Sequence, residues 1–246
     1  MNQIRCSFML FVSAITLFLI SCGGSEDKTT DETTNKDTSN TTAVTPPAST
    51  VITTPQNMLV VTHKVKDFAK WQVSYDGHDS LRLANGIHNY VIGRGFNDSN
   101  MVMVAVKADD MDKAKAFAKD PSLKAAMQKG GVTGAPEMFF NTTVWQDTGA
   151  LSPSVLRSRT TFMVKDWDTW RKNFEANKQE RLDNGIVDRA YGYDAENNKK
   201  VYLVTAVMDT TKAFAYYKSD ALKKRREEGG VIGEPKRFLF WVVKRY

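Results

Sequence analysis

The feature that most limits what this chain can fold into is an internal repeat with a fixed offset of 99 residues. Val65-Lys66-Asp67-Phe68-Ala69-Lys70-Trp71 returns as Val164-Lys165-Asp166-Trp167-Asp168-Thr169-Trp170. Arg82-Leu83-Ala84-Asn85-Gly86-Ile87 returns as Arg181-Leu182-Asp183-Asn184-Gly185-Ile186, and Gly130-Gly131-Val132-Thr133-Gly134-Ala135-Pro136 as Gly229-Gly230-Val231-Ile232-Gly233-Glu234-Pro235. Gly93 matches Gly192, Asp110 matches Asp209 and Phe139 matches Phe238. So many matches in one register mean a duplicated domain, with repeat one at 57–149 and repeat two at 150–246. A unit of roughly 90 residues buries only a modest core, so the halves are expected to lean on each other.

Each repeat reads as the same series of elements. In repeat one, Leu59 to Val65 is a strand, and Asp67 caps a helix expected to run from Phe68 to about Ala84, where Asn85-Gly86 stops it. Strands follow near Asn89–Gly95 and Met101–Val106, with Asn97-Asp98-Ser99-Asn100 as the turn between them. Asp110 caps the next helix, which breaks at Asp120-Pro121, a second cap with proline in the first helical position. Ser219 takes that capping part in repeat two. Phe139 to Trp145 is the last strand, completing a β-α-β-β-α-β order. A lone domain of this kind leaves one sheet face wet, and its strands alternate apolar with polar residues. Met101 to Val106, Val201 to Val207 (Thr205 excepted) and Phe238 to Val243 are instead apolar on both faces. Both faces must therefore be covered. The expected fold is α+β: two ferredoxin-like repeats packed sheet to sheet, helices outside, as a pseudo-dimer within one chain.

On Val-Lys-Asp-Phe/Trp-x-x-Trp entering the first helix, Arg82 and Asn85-Gly86-Ile87 leaving it, and Leu123 with Gly131-Val132-x-Gly-x-Pro136 after the second, the chain resembles the dimeric α/β-barrel superfamily. Within it the likeness is to small proteins grouped with antibiotic-biosynthesis monooxygenases, over nearly all of 57–246. The resemblance implies a barrel that is usually a homodimer, here made by one monomeric chain. The superfamily includes cofactor-free monooxygenases, haem-degrading enzymes, dismutases and members of unknown role, so it implies no single activity.

Comparing the halves locates candidate site residues. Trp71/Trp170 and Arg82/Arg181 are identical and read first as shared architecture, with Trp71, Tyr75 and His78 on one helical face. The differences are more informative. His63 and Lys64 correspond to Phe162 and Met163, and Asn141, Thr142 and Thr143 to Phe240, Trp241 and Val242. First and last strands are neighbours in this fold, which would set His63 beside Asn141 and Thr143, with Trp71 and Arg82 close by. Such a polar patch is either a pocket for a small apolar or aromatic ligand or a self-satisfied cluster. In an enzyme, His63 would be general base or ligand, with Asn141 orienting substrate. His78 and His88 read as exposed helix and strand-end residues. No phosphate loop, nucleophile motif or carboxylate pair is present, and Gly130-Gly131-x-x-Gly134 follows a helix rather than a strand. No cofactor and no metal are expected, since both cysteines, Cys6 and Cys22, lie before the repeats and the chain has three histidines.

The first 22 residues carry an address. Met1 to Arg5 is a short cationic segment, and Phe8 to Ile20 is an apolar run too short to span a bilayer comfortably, so residues 1–21 read as a signal peptide. Leu19-Ile20-Ser21-Cys22 resembles the lipobox of bacterial lipoproteins, which implies acylation (palmitate included) of Cys22. Residues 22–56 are rich in Ser, Thr, Asn, Asp and Pro, the composition of a disordered tether. The small and acidic residues after Cys22 resemble outer-membrane lipoproteins of the Bacteroidetes type, which implies a cell-envelope, outer-membrane location. Repeat two is basic, with 20 Lys and Arg against 13 Asp and Glu. Its densest run, Lys223-Lys224-Arg225-Arg226, lacks interleaved aromatics and reads as a solvated helix end rather than a nucleic-acid surface. The functional expectation is a membrane-anchored lipoprotein whose tandem barrel binds a small ligand or partner without catalysis. Its rival is a cofactor-independent monooxygenase or haem-handling enzyme.

Overall fold

The computed structural model describes residues 49–246. The expected signal peptide, Cys22 and most of the expected tether lie outside the described residues. Repeat one contributes β1 (Val51–Ile52), β2 (Gln56–Val65), α1 (Phe68–Gly77), α2 (Asp79–Ala84), β3 (Ile87–Gly95), β4 (Met101–Ala108), α3 (Met111–Phe117), α4 (Pro121–Lys129) and β5 (Val132–Asp147). Repeat two contributes β6 (Leu156–Val164), α5 (Trp167–Ala176), α6 (Lys178–Asp183), β7 (Ile186–Asp194), β8 (Asn197–Val207), α7 (Thr210–Tyr217), α8 (Asp220–Glu228) and β9 (Val231–Arg245).

The caps form where the sequence places them. Asp67 accepts the backbone N–H of Lys70, Asp110 those of Asp112 and Lys113, Asp120 that of Ser122, and Ser219 that of Leu222. Two expectations are corrected. The helix expected over 68–84 breaks at His78, whose Nδ1 donates to the Ser74 carbonyl at 2.7 Å. Asn177 breaks its counterpart in the same way, its side chain donating to the Asn173 carbonyl at 2.8 Å. A side chain that takes the carbonyl four residues back competes with the helical ladder. The tether also ends earlier than residue 56, because Val51 and Ile52 pair with Asp147 and Gln146.

The strands form one antiparallel sheet in the order β1-β5-β2-β4-β3-β9-β6-β8-β7, and β7 returns to β5, which closes it. The repeats therefore meet face to face and also edge to edge, at a β3–β9 seam and a β5–β7 seam. Closure removes the unpaired edges that a pair of separate sheets would leave. It also explains the strands apolar on both sides. One face packs under the helices, as with Leu59, Val61, Val104 and Val106. The other fills the barrel, where Met58, Val60, Met103 and Phe139 meet Ala190, Tyr202 and Phe240 of repeat two.

The Gly-x-Pro segments shape both halves alike. Pairing jumps from Thr62–Glu137 to Lys64–Thr133, so Gly134-Ala135-Pro136 bulges out opposite His63. In repeat two the jump from Thr161–Lys236 to Met163–Ile232 places Gly233-Glu234-Pro235 opposite Phe162. Gly134 (φ 73°) and Gly233 (φ 68°) take the left-handed conformation that favours glycine.

Candidate functional site

Strand parity decides which predicted residues meet. On β2, Leu59, Val61 and His63 point toward the helices, while Met58 and Val60 point into the barrel. β2 and β5 are neighbours as expected, but the register sets Asn141 opposite Met58 and Thr143 opposite Gln56, on the barrel side. The expected patch is thus two places. His63, Trp71 and Arg82 line a cavity of about 80 Å³ between the sheet and the helices of repeat one. Asn141 and Thr143 line the barrel interior, where the Thr143 hydroxyl hydrogen-bonds the Tyr202 hydroxyl and Asn141 donates to the Phe139 carbonyl at 3.2 Å.

The helix-side cavity is walled by Leu59, Val61, Val104 and Val106 from the sheet and by Leu123 and Met127 from α4. His63 is 4% exposed, and neither ring nitrogen has a hydrogen-bond partner. Burial pulls its pKa down to about 4, so the imidazole is neutral at pH 7. Its ring lies 5.5 Å from that of Trp71, which in turn stacks on Tyr75 at 5.1 Å. Arg82 covers the far face of Tyr75, its guanidinium carbon 3.7 Å from the ring centre. The Tyr75 hydroxyl donates to Asn89, and burial pushes the phenol above its usual range. His78 lines this cavity, and His88 pairs with Asp109 at 2.9 Å at the surface.

Repeat two has the matching cavity, about 100 Å³, with different chemistry. Phe162 stands for His63, while Ser158 and Thr160 stand for Leu59 and Val61. Arg181 covers Phe174 at 3.6 Å as Arg82 covers Tyr75 at 3.7 Å, the same packing in both halves. Arg181 Nε and Nη2 grip both oxygens of Asp188 at 2.8 and 2.7 Å. Position 89 in repeat one offers an amide instead, and Arg82 Nε is left without a partner. In the dense basic run, Arg225 is held by Glu180 and Glu228 at 2.7 Å each. Comparing the halves found His63 but not the interior-facing Arg157 and Arg159 of β6, which occupy the positions of Met58 and Val60.

No family model matches the chain, and no curated protein matches it in sequence. Solved structures do match in fold. A protein of Fusobacterium nucleatum provisionally named a monooxygenase is 12% identical, covering 77% of this chain and 93% of its own, with a TM-score of 0.52. An anthrone oxidase-like protein is 14% identical, covering 80% and 95%, with a TM-score of 0.53. A protein provisionally named a chlorite dismutase is 14% identical, covering 77% and 95%, with a TM-score of 0.50. The architecture is the dimeric α/β-barrel fold, built here from two halves of one chain.

Proposed function

We propose that this chain is a lipid-anchored envelope protein whose repeat-one cavity binds a small hydroxylated aromatic ligand without turning it over. The observation that carries the reading is His63, with both ring nitrogens unpartnered in a largely apolar cavity. A buried polar group without a partner costs about 1–3 kcal/mol, which a ligand hydroxyl would offset. Trp71 supplies an aromatic wall for the ring, and about 80 Å³ limits the ligand to at most one small ring.

The rival reading is cofactor-independent oxygenation, favoured by the names of the structural relatives, an anthrone oxidase-like protein among them. Against it stands the proton affinity of His63. A general base works best with a pKa near the operating pH, and about 4 is far below that. Haem handling fits in one respect only. A neutral imidazole is a suitable ligand, but sites for drug-sized molecules run to roughly 300–1,000 Å³, and a macrocycle does not enter 80 Å³.

Calorimetry with phenol and benzene tests the site. Phenol should bind about tenfold tighter than benzene, and His63→Phe, which installs the repeat-two residue, should erase the difference. Equal affinities in the native protein would sink the reading, and oxygen uptake on an anthrone would sink its non-catalytic part. Anchoring through acylated Cys22 in the outer membrane, as a monomer without nucleic-acid partners, belongs to the same proposal. Labelling at Cys22 is its direct test.

A further inference from the structure

The barrel interior holds a separate cavity of about 90 Å³, on the other face of the sheet from His63. Four arginines line it, Arg157, Arg159, Arg189 and Arg245, against one carboxylate, Asp147. That carboxylate is engaged, since Arg189 Nη1 donates to its Oδ2 at 2.8 Å. Arg157 donates to the Val155 carbonyl at 2.6 Å and Arg245 to that of Thr148 at 3.3 Å. Arg159 is different. It is 8% exposed, its ring neighbours are Phe139 and Tyr202, the exposed Glu137 attracts it without a hydrogen bond, and its Nε and Nη2 have no partner.

Those two nitrogens form one edge of the guanidinium, the edge that meets both oxygens of a carboxylate in a fork. The same edge of Arg181 grips Asp188 in this molecule. An uncompensated charge in a protein interior is strongly unfavourable unless an opposite charge joins it. Beyond the guanidiniums one part of the wall is apolar, with Met58, Val60, Met103 and Phe240, and another carries Asn141, Thr143 and Gln146. An organic carboxylate presents both oxygens to the fork and its body to the apolar part, whereas a phosphate has no apolar body to place there.

We propose that the barrel interior binds a small organic carboxylate, held by Arg159 Nε and Nη2 with its apolar body against Met58, Val60, Met103 and Phe240. Arg157 and Arg189 line the same cavity and add positive charge to it, and the exposed Arg245 marks the way in from solvent. The site stands independently of the repeat-one cavity, because the sheet separates them.

The test uses the full chain with benzoate, its neutral isostere benzamide, and inorganic phosphate at constant ionic strength. Benzoate should bind at least tenfold tighter than either of the others and raise the melting temperature. Arg159→Met should lower benzoate affinity at least tenfold while the unliganded variant melts above the native protein, because an unpaired buried charge has gone. Benzoate binding no tighter than benzamide or phosphate, or unchanged in Arg159→Met, overturns the proposal. Should Arg159→Met not fold, nitrogen-resolved NMR of the native protein replaces it. A buried arginine Nε–H signal must shift on benzoate titration, and an unmoved arginine spectrum overturns the proposal equally.

Discussion

A neutral histidine buried in a largely apolar cavity makes the fold sensitive to acid, and the sign follows from where its proton goes. The unfolded chain takes up a proton at His63 near pH 6.5, while the folded protein resists until about pH 4. Between those values the unfolded state binds more protons, so stability is full above pH 6.5 and falls as pH drops toward 4. At 1.36 kcal/mol per pH unit, the loss amounts to about 3 kcal/mol. His63→Phe should flatten that part of the curve. Denaturant unfolding of both proteins from pH 7.5 to 4 measures the difference, and parallel curves would refute the assignment. His63 was legible in the sequence because repeat two has phenylalanine in its place. Its separation from Asn141 was not, because a one-residue change of parity moves a side chain to the opposite face of a sheet. Arg157 and Arg159 were present in the same comparison, opposite Met58 and Val60. Arginine is read as a surface residue by default, and only closure of the barrel turns that face of β6 inward.

Among the elements, the seams between repeats are the contacts that no single repeat contains, and a glycine sits in each. Gly93 pairs with Val242 across β3–β9, and Gly192 with Thr143 across β5–β7. A Cβ added at Gly192 would stand 2.0 Å from the Thr142 carbonyl oxygen, a backbone atom that cannot swing aside. One added at Gly93 would meet the Phe240 ring at 2.5 Å, and a side chain can shift. Gly192→Ala should therefore destabilise by about 3 kcal/mol or more and Gly93→Ala by roughly 1–2 kcal/mol, within the range of overpacked cores. Urea unfolding checks the ranking, and equal losses would contradict the backbone argument. The match of Gly93 with Gly192 was visible in the sequence, but its reason was not, since both glycines serve a contact made between halves. The helix caps were legible because they depend on residues within three positions of each other. The two-residue β1 was not, because it exists only through its pairing with β5.

For the whole molecule, making the barrel from one chain releases its halves from being identical. A homodimer must carry two equal helix-side cavities. Here one is largely apolar around His63, and the other is more polar, with Arg237, Tyr217, Ser158 and Thr160 among its lining. Closure also leaves the eight long strands paired on both sides, so the described residues present no long open edge to a neighbouring protein. No helix among them is long and apolar enough to cross a membrane, and the proposed attachment is through Cys22. One acyl chain holds a protein only marginally, whereas two or three hold it stably. The anchoring proposal therefore predicts more than simple labelling. The native chain expressed in a bacterium should incorporate an alkyne palmitate analogue and sediment with membranes through a salt wash, which strips electrostatic attachment of the basic second repeat. Cys22→Ala should lose the label and the sedimentation together. Cys6→Ala should lose neither, since Cys6 lies in the segment the signal-peptide reading removes. Label retained in Cys22→Ala, or membrane association that survives without label, would leave the lipobox resemblance without a physical consequence.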